Sequence, residues 1–165
     1  MDRSIILTDK EINHKIKRIA FQIYENNTNN KEVVIAGIAE NGFLLAEKLK
    51  LILEEISEIK VISCKVKIDK KNPLNSVETS ITEKVYKNKS LVLVDDVLNS
   101  GTTLMYAVRH FLNVPLKQFN TAVLVNRNHK KYPVKADFKG MSLSTSMQEM
   151  ISVEVINNKF TAYLN

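Results

Sequence analysis

The stretch LVLVDDVLNSGTT, Leu91 to Thr103, decides how this chain is read. Leu91 to Val94 are successive apolar residues, which predict a strand buried on both faces. The run ends in two adjacent carboxylates, Asp95 and Asp96. Val97 to Thr103 then predicts a polar, glycine-containing turn. From Leu104 the apolar residues Ala107, Val108, Phe111 and Leu112 fall on one helical face. Asn113-Val114-Pro115 ends that pattern.

A strand, a polar turn and a helix start together predict an anion site. The first amides of a helix lack intrahelical partners and carry the positive end of its dipole. A phosphate there takes backbone N–H groups and the hydroxyls of Ser100, Thr102 and Thr103. Gly101 allows positive φ or close approach. Asp95 and Asp96 lie just upstream, suited to sugar hydroxyls or to magnesium held through water. The combination suits a sugar phosphate.

One other segment follows the same plan. Val33 to Ile38 predicts a buried strand, Ala39-Glu40-Asn41-Gly42 a tight turn, and Phe43 to Glu55 a helix. Thr121 to Val125 predicts a strand that exits into Asn126-Arg127-Asn128-His129-Lys130-Lys131, whose basic residues suit phosphate, RNA or water alike. Thr8-Asp9-Lys10-Glu11 is a capping box before a helix from about Asp9 to Glu25, with His14 on its polar side. Ile59 to Ile68 predicts a strand, and Asp69 to Ser80 a mobile loop able to act as a lid. Ala136 to Phe138 predicts a short strand, Gly140 to Ser146 a turn, and Ile151–Ile156 with Lys159–Leu164 a hairpin around Asn157-Asn158. Strands alternating with helices predict an α/β fold with a mainly parallel sheet, whose ligands bind beyond the strands' carboxyl ends. The loops at Ala39, Asp95 and Asn126 all leave such ends, which predicts one composite site.

The chain has 165 residues, 44% of them hydrophobic, enough for a single domain over 1–165. A formal charge of +6 favours anionic ligands such as nucleotides or RNA. The one cysteine, Cys64, excludes an internal disulfide framework and predicts a core residue in a reducing, cytoplasmic setting. No apolar run reaches membrane-span length, and the N-terminus lacks a secretory h-region.

The LVLVDDVLNSGTT segment resembles the phosphoribosylpyrophosphate (PRPP) signature of the type I phosphoribosyltransferases. Within that group the chain is most similar to the pyrimidine-operon regulators of the PyrR type, which also carry uracil phosphoribosyltransferase activity. The likeness extends to KIKRIAFQIYENN, to VVIAGIAENGFLLAEKL and to TAVLVNRNHKKYPVKADFKG. The resemblance implies a Rossmann-like phosphoribosyltransferase fold with a small C-terminal β hood, and a homodimer. It implies that Asp95 and Asp96 take the ribose hydroxyls and the magnesium shell. Asn99, Ser100, Gly101, Thr102 and Thr103 would wrap the 5′-phosphate, and Ala39, Glu40, Asn41 and Gly42 would line the pyrophosphate. Val125, Asn126 and Arg127 would form the base pocket. The implied reaction converts uracil and PRPP to UMP and pyrophosphate, with magnesium. Purine enzymes of the group commonly have aspartate where this chain has Asn99, which favours a pyrimidine.

The chain departs from the family pattern at four places. Asn41, preceded by Glu40, stands where an arginine is usual, and Thr102 stands where a basic residue is usual. Asn126 replaces an aspartate, and the 69–80 loop is short. Each lost cation is worth about 1–3 kcal/mol of charge-assisted bonding. The alternatives to the enzyme are an RNA-binding attenuation regulator sensing uridine nucleotides and a nucleotide-binding homologue with degenerate catalysis.

Overall fold

The structure is a computed structural model that describes residues 3–165. Met1 and Asp2, which open the expected 1–165 domain, lie outside the described residues. The chain runs β1 (Ser4–Leu7), α1 (Asp9–Glu25), β2 (Glu32–Ile38), α2 (Ala39–Ile56), β3 (Lys60–Lys67), β4 (Glu78–Thr79), α3 (Glu83–Tyr86), β5 (Ser90–Leu98), α4 (Thr102–Phe111), β6 (Gln118–Arg127), β7 (Phe138–Leu143), β8 (Ile151–Ile156) and β9 (Lys159–Leu164). The main sheet has the order β4-β3-β2-β5-β6-β7, and a smaller one the order β1-β9-β8. In the main sheet β3, β2, β5, β6 and β7 are parallel, and β4 is antiparallel to β3. The smaller sheet is antiparallel throughout.

The central strands are apolar on both sides because both faces of the sheet are covered. On one face Val33, Ile35, Val92, Val94 and Leu124 pack with α1, α2 and the smaller sheet; on the other Val34, Ala36, Leu91, Leu93 and Val123 pack with Leu104, Ala107 and Phe111 of α4. Cys64 is buried in this second layer, as its apolar setting predicts. The capping box forms: Thr8 Oγ1 accepts from the Glu11 amide while Glu11 Oε2 accepts from the Thr8 amide at 2.8 Å. Ile12, Ile16, Ile19, Ala20 and Ile23 form its buried stripe, and His14 is exposed.

Three glutamates seven residues apart align α2 against alternate positions of β3. Glu40 Oε1 meets Lys65 Nζ at 2.5 Å, Glu47 Oε1 accepts from Ser63 Oγ at 2.5 Å, and Glu54 Oε1 accepts from the Val61 amide at 3.1 Å. Seven residues are close to two helical turns, so these side chains share one edge of the helix.

Several boundaries differ from the sequence expectation, for physical reasons. The tight turn expected at Ala39–Gly42 is instead the first turn of α2, which begins directly at Ala39. Ala39 makes the reversal at φ 55°, and Gly42 seats the turn on the sheet, where an added Cβ would lie 2.9 Å from Val94 O. β5 extends past the acids to Leu98 because Asp95, Val97 and Leu98 keep pairing with Val123, Val125 and Asn126. For the same reason Asn126 and Arg127 belong to β6 rather than to a loop, paired with Ser142 and Leu143. β7 therefore covers Phe138–Leu143 and takes in part of the turn expected at 140–146. The segment expected as one loop at 69–80 contains β4, and Asp69 closes its first half by accepting from the Lys71 and Asn72 amides and Asn75 Nδ2. The terminal hairpin has the expected boundaries, with Asn157 and Asn158 at φ 50° and 63°, as a two-residue hairpin turn requires. β1 went unforeseen; it is short and forms only by pairing with β9. No helix among the described residues is long and apolar enough to cross a membrane.

Candidate functional site

Ala39 follows the carboxyl end of β2 directly, and Asp95 and Asn126 lie among the last residues of the adjacent strands β5 and β6, so all three sit at one edge of the sheet. Gly42 rests against the end of β5, its position for a Cβ only 3.4 Å from Asp95 Cα. Beside it, Asn41 Nδ2 donates to Asp96 Oδ2 at 3.0 Å and to Val153 O at 2.8 Å. Val153 lies on β8, an edge strand of the smaller sheet. One carboxamide thus ties the first turn of α2, the acidic pair and the hood together.

Asp95 is 4% exposed, and its Oδ1 accepts from the Asp96 amide at 2.9 Å. Burial pushes its carboxyl well above the usual range, and the neighbouring Asp96 charge pushes the same way. Lys70, on the 69–80 segment, opposes both. Asp96 is half-buried and its Oδ1 accepts from the Val97 amide at 2.8 Å. Among the described residues no group of three or more His, Cys, Asp or Glu side chains gathers as a metal cage. Two adjacent carboxylates, one of them desolvated, fit magnesium, which keeps much of its shell for water and phosphate oxygens. Asp95 and Asp96 would hold it.

The turn after β5 is Asn99-Ser100, closed by Gly101 at φ 85° as the N-cap of α4. Thr102 and Thr103 are the first helical residues. The N-cap Gly101 has no side chain to offer the first amides of α4, which have no intrahelical acceptor. Ser100 Oγ and Thr102 Oγ1 lie 2.9 Å apart, and the Thr102 amide reaches Ser100 Oγ at 3.3 Å. Ser100 O accepts from the Lys131 amide at 2.7 Å and from the Tyr132 amide at 3.2 Å. The basic loop after β6 is thereby pinned beneath the turn. Asn99 Oδ1 is buried without a hydrogen-bond partner.

On the β6 side, Val125 is fully buried in the core. Asn126 is 4% exposed; its Nδ2 contacts Asn128 Oδ1 and Ser142 Oγ, both at 3.3 Å, and its Oδ1 has no partner. Arg127 is 8% exposed, donating from Nε to Thr145 Oγ1 at 2.7 Å and from Nη2 to Ser146 O at 3.0 Å. His129 Nε2 lies 2.5 Å from Thr145 O. Arg127 and His129 therefore hold the 144–146 segment over this corner. Sequence reasoning missed Lys65 as a neighbour of Glu40; Lys65 is one of three lysines in the run IKVISCKVKI, and nothing local in that run sets it apart from Lys60 and Lys67.

A parallel α/β sheet with paired acids at a central strand end, running straight into a hydroxyl-lined helix start, is the architecture of a protein that handles ribose phosphates. Residues 2–157 match the phosphoribosyl transferase domain family, and the chain belongs to it as a phosphoribosyltransferase. It is 36% identical over 158 residues to the bifunctional protein PyrR of Clostridium acetobutylicum, covering 91% of this chain and 89% of that one. It is 32% identical over 173 residues to the bifunctional protein PyrR of Macrococcus caseolyticus, covering 99% of each. The fold is that of the hypoxanthine phosphoribosyltransferase of Trypanosoma cruzi, with a TM-score of 0.77 at 15% identity over 96% of this chain and 95% of that one.

Proposed function

We propose that this chain, acting as one domain over 1–165, is a magnesium-dependent pyrimidine phosphoribosyltransferase that converts uracil and PRPP to UMP and pyrophosphate. The observation that carries the reading is the buried Asp95 and adjacent Asp96 leading within one strand end to the Ser100-Gly101-Thr102 turn. In the proposed reaction the uracil N1–C1′ bond forms as the bond from C1′ to the pyrophosphate oxygen breaks, and the N1 proton leaves to solvent. Asp95 and Asp96 orient the ribose hydroxyls and offset the positive charge that builds on the ribosyl centre. The α4 amides and the Ser100, Thr102 and Thr103 hydroxyls fix the 5′-phosphate, and so hold C1′ in line with the base. Bound magnesium would supply charge neutralisation at the departing pyrophosphate. Purified protein incubated with uracil, PRPP and magnesium is expected to form UMP; its absence, with PRPP bound, overturns the reading.

A second reading is favoured by the exposed Lys130 and Lys131 beside this site and by the bifunctional name of the relatives. In it the chain, as a cytoplasmic homodimer, also binds RNA and senses uridine nucleotides. Binding to a pyrimidine-operon leader RNA should weaken steeply with salt. Absent or salt-insensitive binding removes that reading.

A further inference from the structure

We infer that Lys65, on β3, supplies the pyrophosphate-side cation that position 41 lacks, and that Glu40 holds it ready. The inference rests on the proposed PRPP site. Lys65 pairs in register with Gly37, two residues before the turn of α2, on the face of the sheet that α2 covers. Its Nζ lies 2.5 Å from Glu40 Oε1 and 5.5 Å from the centre of the Phe43 ring. Glu40 belongs to the first turn of α2, which also carries Asn41, and Phe43 follows directly after it. The Lys65 side chain is only 30% exposed, while that of Glu40 is 78% exposed. The anchored member of the pair is thus the cation, and the acid is the mobile, solvated one.

The ladder along α2 sets Lys65 apart from its neighbours. Glu47 and Glu54 accept from a hydroxyl and a backbone amide, which align helix on strand at no electrostatic cost. Only at the carboxyl end of the strand does the ladder use a full charge. An exposed ion pair of this kind contributes little to stability, about 0–1 kcal/mol, so alignment alone does not call for a lysine. Pyrophosphate is a stronger anion than one carboxylate and competes for Nζ. Glu40 is exposed enough to swing away when it does. Lys65 thereby restores, from the neighbouring strand, the charge-assisted contact that arginine in the loop itself would make.

Calorimetry with two ligands tests this, because PRPP carries the pyrophosphate and UMP does not. Lys65→Met is expected to weaken PRPP·magnesium binding 10- to 100-fold and to leave UMP binding within twofold. Glu40→Gln, a change at the exposed partner that leaves the sheet untouched, is expected to tighten PRPP binding two- to fivefold with UMP unchanged. Equal loss of PRPP and UMP in Lys65→Met, or PRPP affinity unmoved in both variants, overturns the role of Lys65. Wild-type protein that binds neither ligand overturns the PRPP site itself, and this inference with it.

Discussion

Gly101→Ala is the sharpest test of the phosphate turn. Gly101 caps α4 at φ 85°, where an L side chain costs about 1–2 kcal/mol. The added methyl would also lie 2.7 Å from Val134 Cγ1. That branched side chain has little rotamer freedom to retreat, and overpacking of this kind costs about 1–3 kcal/mol. The combined expectation is a loss of about 2–5 kcal/mol, read by urea denaturation. The two contributions are separable. Val134→Ala in the Gly101→Ala background removes the clash and leaves the dihedral, so the double variant should recover the packing part and retain about 1–2 kcal/mol of loss. Ribose 5-phosphate affinity should follow the dihedral, because the turn sets the direction of the α4 amides. It should stay at least tenfold weaker in the double variant than in Val134→Ala alone. Wild-type stability in Gly101→Ala, or full recovery of phosphate affinity in the double variant, would refute the claim that positive φ shapes the cradle.

Asp95→Asn should abolish UMP formation yet raise stability by about 0.5–2 kcal/mol at neutral pH, since it removes a desolvated charge. Folded Asp95 binds its proton more tightly than the unfolded chain does, so wild-type stability falls as pH rises from the ordinary carboxylate range through the raised value; denaturation across pH should show this slope missing from the variant. Asn41→Ala removes the links to Asp96 and Val153 and should cost about 1–3 kcal/mol, with faster hydrogen exchange at the β8 amides. Arg127→Met should free the segment around Thr145 and Ser146 for proteolysis and raise the KM for base more than that for PRPP; an unchanged cleavage pattern would count against the tether.

What was legible in the sequence follows the range of the interactions. The α1 boundaries come from a local capping box and a five-residue apolar stripe, so a window of a few turns contains them. The terminal hairpin is equally local, set by Asn157 and Asn158. The ends of β5 and β6 are not local. Asp95, Asn126 and Arg127 are polar, and only pairing with neighbouring strands keeps the ladder going through them. β1 depends wholly on partners 155–160 positions away in the chain, which no short window holds, and β4 is a two-residue strand with no pattern of its own, set only by pairing with β3. The candidate site divides in the same way. The acids, the turn and the first residues of α2 lie in contiguous motifs, whereas the Asn41 link to Val153 and the Lys65 pair with Glu40 join separate segments.

The departures from the family pattern gain a physical sense from those long-range contacts. Arginine at position 41 and a basic residue at 102 would each add a cation to the site. Here Asn41 and Thr102 instead form hydrogen bonds without adding a cation, Asn41 to the Asp96 carboxylate and Val153 O, and Thr102 to Ser100. Positive charge comes instead from other segments, Lys65 on β3 paired with Glu40 and Lys70 on the 69–80 segment, whose charge acts on Asp95. A lining that lacks cations at 41 and 102 cannot attract anions at long range as strongly as one that has them. It does fix Asp96 and the hydroxyl turn before any ligand arrives, so less ordering remains to be done on binding. Charge and preorganisation are therefore traded against each other, and loss of the two basic residues does not by itself imply loss of the PRPP site.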